Sequence, residues 1–479
     1  MAHLDEVHIA PLPFDRFRPL LGDERIREAT VLAEATARRL HGRVWWNVNS
    51  TARGGGVAEM LQSLLAYARG LEIDTRWLVI EGNPDFFRVT KRLHHALHGS
   101  SGDGTPLAGE ERAIYDDTVA ANGQELLGLV RPGDVVLLHD PQTAGLAPTL
   151  IHHGAIVIWR CHVGADARNA ETDLGWAFLT PYLGEVAATV FSRRAYVPAG
   201  LDGDRAVVIP PSIDAFSPKN QELDEATVRA ILVHTGIVEG PPDDAAAIFH
   251  REDGSLARVD RQADIVRLGR APSWERPLVV QVSRWDPLKD PVGVLRGFAE
   301  LTGGPDPIAA DLVLAGPNVS AVTDDPEGAT TFNSVVEAWR ALPHVSRGRI
   351  HLASLPMTDR EENAAIVNAL QRHAAVVVQK SLKEGFGLTV TEAMWKGRPV
   401  IGSAIGGIQD QIDDGVHGLL LPDPTDLTAF AAAVRRLLAD PDFASTLGIQ
   451  GKERVRQEFL GIRHLMQYAA LLDRIESAR

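Results

Sequence analysis

Ten short apolar runs, each closed by polar or glycine-bearing residues, alternate with helical patterns along this chain. They are rich in Val and Ile and apolar on consecutive positions, which is typical of strands buried on both faces of a sheet. Strands that alternate with helices predict parallel sheets, and two such series predict two doubly wound α/β domains. The first series is VWWNV (44–48), WLVIEG (77–82), DVVLLHD (134–140), AIVIWRCH (155–162) and ATVFS (188–192), and the second is PLVVQVSRW (277–285), ADLVLAGP (310–317), RIHLASL (349–355), AAVVVQK (374–380) and PVIGSA (399–404).

The length of 479 residues suits two domains of moderate size. After VIPPSID (208–214) the chain turns polar and charged, and we interpret the stretch up to 276 as a linker followed by an insertion of unknown internal structure. The predicted division is an N-terminal extension over 1–43, a Rossmann-like domain over 44–214, the linker and insertion over 215–276, a second Rossmann-like domain over 277–460, and a C-terminal helix over 461–479 that crosses back to the first domain.

The formal net charge is −15, so no global basic field exists to attract nucleic acid or anionic lipid. An anionic ligand must therefore be held by a local cluster of donors. Cys161 is the only cysteine, which excludes an intrachain disulfide and a cysteine-based zinc site. The apolar runs are too short to span a bilayer and the first residues lack a secretory signal, so we expect a cytoplasmic protein that binds neither membranes nor nucleic acid.

The segment NSTARGGGVAEML (49–61) lies between a predicted strand and an amphipathic helix. Its three glycines let the backbone approach a ligand closely, and the free amides of the helix start then face that ligand. The alternative is a tight strand-to-helix turn without a ligand. The segment is neither a G-x-G-x-x-G dinucleotide fingerprint nor a Walker loop, because no Gly-Lys-Ser/Thr follows.

The segment VSRWDPLKD (282–290) follows a predicted strand and carries two cations, Arg284 and Lys289. A planar guanidinium gives bidentate phosphate contact and an ammonium gives a compact charge, so together they suit a diphosphate. The alternative is a solvated charged loop in which Asp286 and Asp290 are the ion partners.

The segment KSLKEGFGLTVTEAMWKGRPVIGSAIGGIQD (380–410) is the most specific of the three. Glu384 is expected at a strand exit, a helix is expected to start near Leu388 or Thr389, and Glu392 would lie in its first turns. A carboxylate accepts from paired sugar hydroxyls, and a helix N-terminus favours a phosphate. Two alternatives stay open: a glycosidase acid and nucleophile pair, or a capping acid beside an exposed surface acid.

Two glutamates separated by seven residues, in Glu384-Gly-Phe-Gly-Leu-Thr-Val-Thr-Glu392, resemble the signature of family-four retaining glycosyltransferases of the GT-B fold. The two cations and the glycine loop at 54–56 match that family's phosphate-binding elements in kind and order. The resemblance implies two doubly wound, Rossmann-like parallel-sheet domains that face a deep cleft. It makes the first domain the acceptor domain and the second the nucleotide-sugar donor domain.

Longer segments narrow the resemblance to trehalose synthases that transfer glucose onto glucose, and to their sister family, the retaining trehalose phosphorylases. The likeness runs from about 44 to 475, apart from 215–276, and the long N-terminus and the insertion depart from the compact synthases. The segments are WWNVNSTARGGGVAEMLQSL, VIEGNPDFFRVTKRLHHALHG, LLHDPQTAGL, WRCHVGAD, VIPPSIDAFSPKN, LAGPNVSAVTDDPEG and SLKEGFGLTVTEAMWKGRPVIG.

On the donor side, the resemblance implies that Arg284 and Lys289 bind the diphosphate and neutralise the charge that grows on the leaving group, with no metal and no cofactor. Glu384 would hold donor-sugar hydroxyls, and Glu392 would accept from the ribose hydroxyls. The implied donor-binding residues are Gly55, Gly56, Arg284, Lys289, Glu384, Gly385, Phe386, Gly387, Leu388, Thr389 and Glu392, and the implied catalytic residues are His162, Arg284, Lys289 and Glu384.

On the acceptor side, His162 matches the family's active-site histidine beside the anomeric centre. His139 follows the neighbouring strand and is expected to line the acceptor pocket with Arg160, His162 and Asn83. A lone histidine is more often a satisfied structural residue, but two at adjacent strand exits favour the site. We interpret Cys161 as a packing residue and not as a nucleophile.

The implied reaction is retaining transfer from a nucleoside diphosphate glucose to glucose, which yields α,α-trehalose and releases the nucleoside diphosphate. No carboxylate stands out as the nucleophile that a double displacement would need, and the resemblance implies a front-face transfer. The alternatives are a trehalose phosphorylase, which gives glucose 1-phosphate and glucose, a transferase with another sugar acceptor, and a non-catalytic sugar or nucleotide sensor. The sequence does not determine the nucleotide base, and it leaves a homodimer open.

Overall fold

A computed structural model describes residues 4–52, 56–201, 203–243, 245–303, 306–319 and 326–478. The chain forms two compact units: unit 1 comprises Met1–Ser212 with Phe459–Arg479, and unit 2 comprises Ile213–Glu458. The boundary lies at 212, where the sequence predicts 214.

The strands of unit 1 are β1 (Asp5–Val7), β2 (Trp45–Asn49), β3 (Thr75–Val79), β4 (Val135–His139), β5 (Ile156–Cys161), β6 (Ala188–Phe191) and β7 (Ala206–Val208). They form a sheet in the order β1-β3-β2-β4-β5-β6-β7. β1 is antiparallel to β3, and the other pairs are parallel. Every residue of β2, β4 and β5 is buried, as the consecutive apolar positions predict.

The helices in the first part of unit 1 are α1 (Arg18–Leu21), α2 (Asp23–Arg39), α3 (Gly56–Gly70), α4 (Pro84–Leu97), α5 (Glu110–Leu129), α6 (Asp140–Thr143), α7 (Ala147–His152) and α8 (Ala170–Leu183). α8 begins with a capping box: Asn169 Oδ1 accepts from the backbone N–H of Thr172, and Thr172 Oγ1 accepts from that of Asn169. Phe178 on α8 packs with Trp159 and Phe191 of the sheet in one buried core.

The strands of unit 2 are β8 (Ile248–His250), β9 (Leu256–Arg258), β10 (Asp264–Val266), β11 (Leu278–Val282), β12 (Asp311–Pro317), β13 (Ile350–Leu355), β14 (Val376–Gln379), β15 (Val400–Ser403) and β16 (Leu419–Leu421). The main sheet has the order β10-β13-β12-β11-β14-β15-β16, in which β10 is antiparallel to β13 and the other pairs are parallel. β8 and β9 form a separate antiparallel pair.

The helices of unit 2 are α9 (Glu225–His234), α10 (Pro291–Gly303), α11 (Pro326–Arg340), α12 (His344–Arg347), α13 (Arg360–His373), α14 (Leu388–Trp395), α15 (Ile408–Gln411), α16 (Leu427–Ala439) and α17 (Pro441–Glu458). α16 begins where the Asp426 carboxylate accepts from the backbone N–H of Ala429. Its buried Phe430 and Val434 share a core with Val279 of β11 and Phe298 of α10. The last helix, α18 (Gly461–Ser477), belongs to unit 1.

Residues 1–43, which the sequence assigns to an extension, are built into unit 1. β1 adds a strand to the sheet through the register Asp5↔Val79. α2 packs against α18, where Arg39 forms an ion pair with Asp473. A three-residue edge strand is too short to produce an alternation pattern, which is why the sequence pattern did not reveal it.

The predicted linker and insertion, 215–276, is likewise part of unit 2. α9 packs against α13, and β10 extends the sheet beside β13. Arg251 donates to the carboxylates of Asp359 and Glu361 at the start of α13, which fixes the β8–β9 pair to that helix. Within the described ranges, no helix is both long and apolar enough to cross a membrane.

Candidate active site

The loop after β11 carries Lys289, and a capped turn holds it in place. Asp286 Oδ1 accepts from the backbone N–H of Leu288 at 2.8 Å, which starts a short 3₁₀ turn over Pro287–Lys289. Gln281 of β11 donates from Nε2 to the carbonyl of Lys289 at 2.8 Å. The side chain of Lys289 is therefore fixed at the carboxyl end of the strand, where ligands of parallel sheets bind.

Lys289 meets Glu384 from the next strand of the sheet. Lys289 Nζ lies 2.6 Å from Glu384 Oε2, and the two side chains are 17% and 10% exposed. Ser381 also donates to Glu384 Oε2 at 3.1 Å. β14 ends at Gln379, so Glu384 lies in the loop beyond the strand and not at its last residue. Because β11 and β14 are hydrogen-bonded neighbours, their exit loops bring together two of the predicted residues.

The glycine-bearing loop before α14 is locked from one side. Gln411 of α15 donates from Nε2 to the carbonyl of Phe386 at 2.6 Å, and Phe386 itself is buried. Gly387 has φ +83°, a backbone conformation that favours glycine, and a Cβ there would lie in tight contact, 3.0 Å from Ile408 Cγ1. α14 then starts at Leu388, one of the two predicted positions.

Glu392 lies in the second turn of α14 and is 5% exposed. Its Oε1 is 3.7 Å from Lys219 Nζ. Lys396, one turn further, is buried and donates from Nζ to Asn220 Oδ1 at 3.0 Å and to the carbonyl of Glu392 at 3.1 Å. Burial lowers the pKa of Lys396, and the Glu392 carboxylate opposes that shift. Neither Lys219 nor Lys396 was singled out from the sequence, because no local motif marks them.

Arg284 lies apart from this pair on the exposed side of its loop. Its side chain is 68% exposed and contacts Asp286 Oδ2 at 3.2 Å. This contact is the ion pair that the solvated-loop alternative predicts. An exposed pair of this kind contributes little to stability, so the guanidinium can change partners at low cost.

In unit 1, His139 ends β4 and His162 follows β5. The strands are parallel neighbours with the register His139↔Arg160. The two rings lie edge to edge and nearly parallel, with centroids 5.4 Å apart and planes at 15°, and His139 Nδ1 lies 3.0 Å from His162 Nε2. Burial lowers the pKa of His139 to about 3 and that of His162 well below its usual value, with Arg160 adding to both shifts. Both rings are therefore neutral at pH 7.

Asp140 fixes the backbone at His162 and was not singled out from the sequence. Its Oδ1 accepts from the backbone N–H of His162 at 2.7 Å. Asp140 has φ +63°, an uncommon conformation for a residue with a Cβ, and burial raises the pKa of its carboxyl group to about 7. A strained, partly buried acid with a raised pKa at a strand exit is a feature of functional sites.

The remaining residues that the sequence analysis names in unit 1 belong to the acceptor side, the glycine loop and the core. The two acceptor-side residues among them, Arg160 and Asn83, make contacts within the protein. Arg160 is fully buried, and its guanidinium contacts groups of the protein and not the surface. Asn83 caps α4 by accepting from the backbone N–H of Phe86 at 2.8 Å. Gly56 is the first residue of α3, whereas Gly55 lies outside the described residues. Cys161 is buried, as the packing interpretation predicts.

Across the described ranges, no group of three or more His, Cys, Asp and Glu side chains could hold a metal ion. The candidate site consists of two parts, each at the carboxyl edge of its own sheet. Unit 1 contributes two neutral histidines in hydrogen-bond contact, and unit 2 contributes two carboxylates, each beside a lysine.

Comparison with known proteins identifies the family. The family "Trehalose synthase, N-terminal domain" matches residues 47–198, and "Glycosyl transferases group 1" matches 354–454. The trehalose synthase of Pyrococcus horikoshii is 34% identical over 95% of this chain and 95% of that protein. The trehalose phosphorylase of Pleurotus sajor-caju is 26% identical over 78% of this chain and 50% of that protein.

A solved structure supports the fold. The UDP-forming α,α-trehalose-phosphate synthase from Burkholderia vietnamiensis superposes with a TM-score of 0.64 at 16% identity, covering 91% of this chain and 98% of that one. The two parallel-sheet units thus have the GT-B architecture that the sequence predicts. The chain is a glycosyltransferase that belongs to the trehalose synthase family.

Proposed function

We propose that this protein transfers glucose from a nucleoside diphosphate glucose to glucose with retention of configuration, forming α,α-trehalose and releasing the nucleoside diphosphate. The observation that carries the proposal is the contact of 2.6 Å between Lys289 and Glu384 at adjacent strand exits of unit 2. This pair places a cation for a phosphate next to a carboxylate for sugar hydroxyls.

On the donor side, Lys289 and the exposed Arg284 bind the diphosphate. The amides of Gly385, Phe386 and Gly387 and the first residues of α14, Leu388 and Thr389, supply further donors. Partly buried donors that are already in place stabilise the charge of the leaving group without reorganisation. The same cations take over the electrostatic work that a metal ion does in other phosphate sites.

The two carboxylates divide the rest of the donor between them. Glu384 accepts from hydroxyls of the glucose, while Lys289 holds the Glu384 carboxylate in place. Glu392, buried beside Lys219, accepts from the ribose hydroxyls. A carboxylate can accept two hydroxyls at once, which suits the vicinal diols of both sugars.

The chemical step exchanges one bond for another on the same face of the donor. The bond between the anomeric carbon and the phosphate oxygen breaks as the acceptor oxygen approaches. The acceptor proton passes to the departing phosphate oxygen, so no carboxylate nucleophile is needed. Exclusion of water from the site would suppress hydrolysis of the donor.

The acceptor side favours a sugar without a phosphate group. His139 and His162 are neutral, and Arg160, the cation on β5, is committed to buried partners. The neutral rings and the carboxyl group of Asp140 hydrogen-bond hydroxyls well and offer a phosphate little stabilisation. Glucose is therefore the acceptor that we propose.

Phosphorolysis is the second candidate, because trehalose phosphorylases are among the relatives. The test is incubation of the enzyme with trehalose plus either inorganic phosphate or a nucleoside diphosphate. We expect a nucleoside diphosphate glucose from the second mixture only. Glucose 1-phosphate from the first mixture, without nucleotide, would refute the synthase proposal.

The forward reaction is tested by NMR analysis of the products. ADP-, GDP-, UDP- and dTDP-glucose are each supplied with glucose and with other sugars. We expect α,α-trehalose from glucose with at least one donor, together with the matching diphosphate. No turnover across the whole panel would favour a sensor that kept the fold.

A further inference from the structure

Arg160 lies at the centre of a buried hydrogen-bond network in unit 1. Its Nε donates to His162 Nδ1 at 3.4 Å, and its Nη1 donates to His464 Nε2 at 2.8 Å and to the Tyr468 hydroxyl at 2.6 Å. Its Nη2 donates to the carbonyl of Ile209 at 3.0 Å. Arg160, His464 and Tyr468 are buried.

A guanidinium only donates and keeps its charge in proteins, so it decides which atom of each partner accepts. His162 Nδ1 must accept, which places the hydrogen of the neutral ring on Nε2. That hydrogen points to His139 Nδ1, 3.0 Å away, so His139 in turn carries its hydrogen on Nε2. The tautomers of both rings therefore follow from one donor.

The hydrogen bonds beyond His139, at the end of the branch that runs from Arg160 through His162, agree with these two tautomers. His139 Nε2 lies 3.3 Å from Asn47 Oδ1, an acceptor. Asn47 donates from Nδ2 to Thr75 Oγ1, and the Thr75 hydroxyl donates to the carbonyl of Trp45 at 2.8 Å. Every step from Arg160 to this carbonyl thus pairs one donor with one acceptor.

The second branch leads to the C-terminal helix. His464 Nε2 accepts from Arg160, so its hydrogen lies on Nδ1, which is 2.8 Å from Ser212 Oγ. The His464 ring stacks on Tyr468 with centroids 5.3 Å apart at 14°. α18 thereby completes the set of contacts around the β5 guanidinium.

The ionisable groups packed around the histidines include Asp140 after β4, Arg160 and Cys161 on β5, and Arg463, His464 and Tyr468 on α18. Burial lowers the pKa of His464, as it does for His139 and His162, with Arg160 contributing in each case. The network thus contains three neutral rings around the guanidinium of Arg160, and the guanidinium of Arg463 also faces His464.

We infer that Arg160 is a positioning residue that locks His162 and His139 as Nε2–H tautomers and His464 as the Nδ1–H tautomer. The tautomer assignment depends on contacts within unit 1 alone, while its consequence for proton transfer in the reaction rests on the proposed function. With both ring nitrogens occupied, His162 does not take the acceptor proton. The proton is left to the departing phosphate oxygen.

The test is histidine tautomer analysis of the full chain, labelled with ¹⁵N-histidine, by long-range ¹H–¹⁵N correlation between pH 6 and 8. Signals are assigned by changing His139, His162 and His464 to Gln one at a time. The three tautomers named above are expected throughout this range. A protonated His162, or a hydrogen on its Nδ1, overturns the inference.

The variant Arg160→Lys tests whether Arg160 determines these tautomers. One ammonium cannot reach His162 and His464 in the geometry of the planar fork, so we expect mixed tautomers at His162. We also expect kcat/KM to gain an acid limb near the usual histidine pKa of about 6.5. Wild-type tautomers and a wild-type pH profile in this variant would overturn the positioning role.

Two controls separate positioning from folding and from the function itself. Ser212→Ala removes only the far acceptor, so His464 should keep its tautomer because Arg160 still dictates it. Arg27→Lys, at an exposed position of α2, should change neither tautomers nor kinetics. Tautomers are read without substrate, so a wrong donor or acceptor assignment leaves this result intact.

Discussion

The strand exits of unit 1 and unit 2 differ in how their polar groups are held. After β4 and β5, the side chains are neutral rings joined by hydrogen bonds to one buried cation. After β11 and β14, they form an ion pair between Lys289 and Glu384. Buried neutral groups cost less to desolvate than charges, whereas charges act strongly on an anion.

Under the proposed function, this difference accounts for the substrate that we assign to each unit. A diphosphate that departs with growing negative charge needs cations, which unit 2 supplies. A sugar acceptor is neutral and is selected by hydrogen-bond direction, which fixed tautomers supply. The two units have the same α/β architecture, so the distinction arises from a few residues at the strand exits.

The largest expected effect on activity comes from removing the ammonium group of Lys289 in unit 2. Lys289→Ala should lower kcat about 10²–10³-fold, because the leaving group loses a donor in a partly buried site. Steady-state rates at saturating donor measure this, with Arg296→Ala at an exposed position of α10 as the control. A variant with kcat close to wild type would show that Lys289 is only a structural partner of Glu384.

Much of this comparison could be predicted from the sequence, because parallel strands end at one edge of a sheet. Consecutive apolar positions located β11 and β14, and the glycine pattern placed the start of α14 at Leu388 or Thr389, the first of which the structure shows. Residues just beyond such strands converge whatever the helices do. This is why Lys289 and Glu384, 95 residues apart, could be named together.

The unit 1 network could not be predicted in the same way. Arg160 and Tyr468 are 308 residues apart, and no local pattern specifies which face of α18 meets β5. The same holds in unit 2 for Lys396 and Asn220, which form a hydrogen bond although they are 176 residues apart. Asp140 has no periodic signal either, because one residue with a positive φ leaves no mark on an apolar pattern.

The second effect tests whether the buried acid of unit 2 acts on the ribose. Glu392→Ala should weaken nucleoside diphosphate binding about 10–100-fold, since a hydrogen bond to a charged group contributes about 1.5–3 kcal/mol. Isothermal titration calorimetry measures it, and Glu337→Ala, exposed on α11, is the matched control. Affinity equal to wild type would remove the ribose role and leave Glu392 as a partner of Lys219.

The smallest effect concerns the neutral rings of unit 1. Burial holds the folded-state pKa of His464 below its unfolded value of about 6.5, so only the unfolded chain gains this proton as the pH falls. Stability should therefore decrease as the pH drops below about 6.5, by about 1.4 kcal/mol per pH unit for each such ring. His139 and His162 act in the same direction, while Asp140, whose folded pKa is raised, opposes them between about 4 and 7.

His464→Gln isolates one ring, because the Gln carbonyl can still accept from Arg160. Between pH 7.5 and 5.5, this variant should lose about 1.4 kcal/mol less stability than wild type. Hydrogen exchange of unit 1 amides measures the loss separately from unit 2. His344→Gln, an exposed histidine on α12, should leave the pH dependence unchanged. An equal loss in wild type and His464→Gln would mean that His464 titrates alike in the folded and unfolded chain, and the neutral network of unit 1 would then be wrong at its C-terminal end.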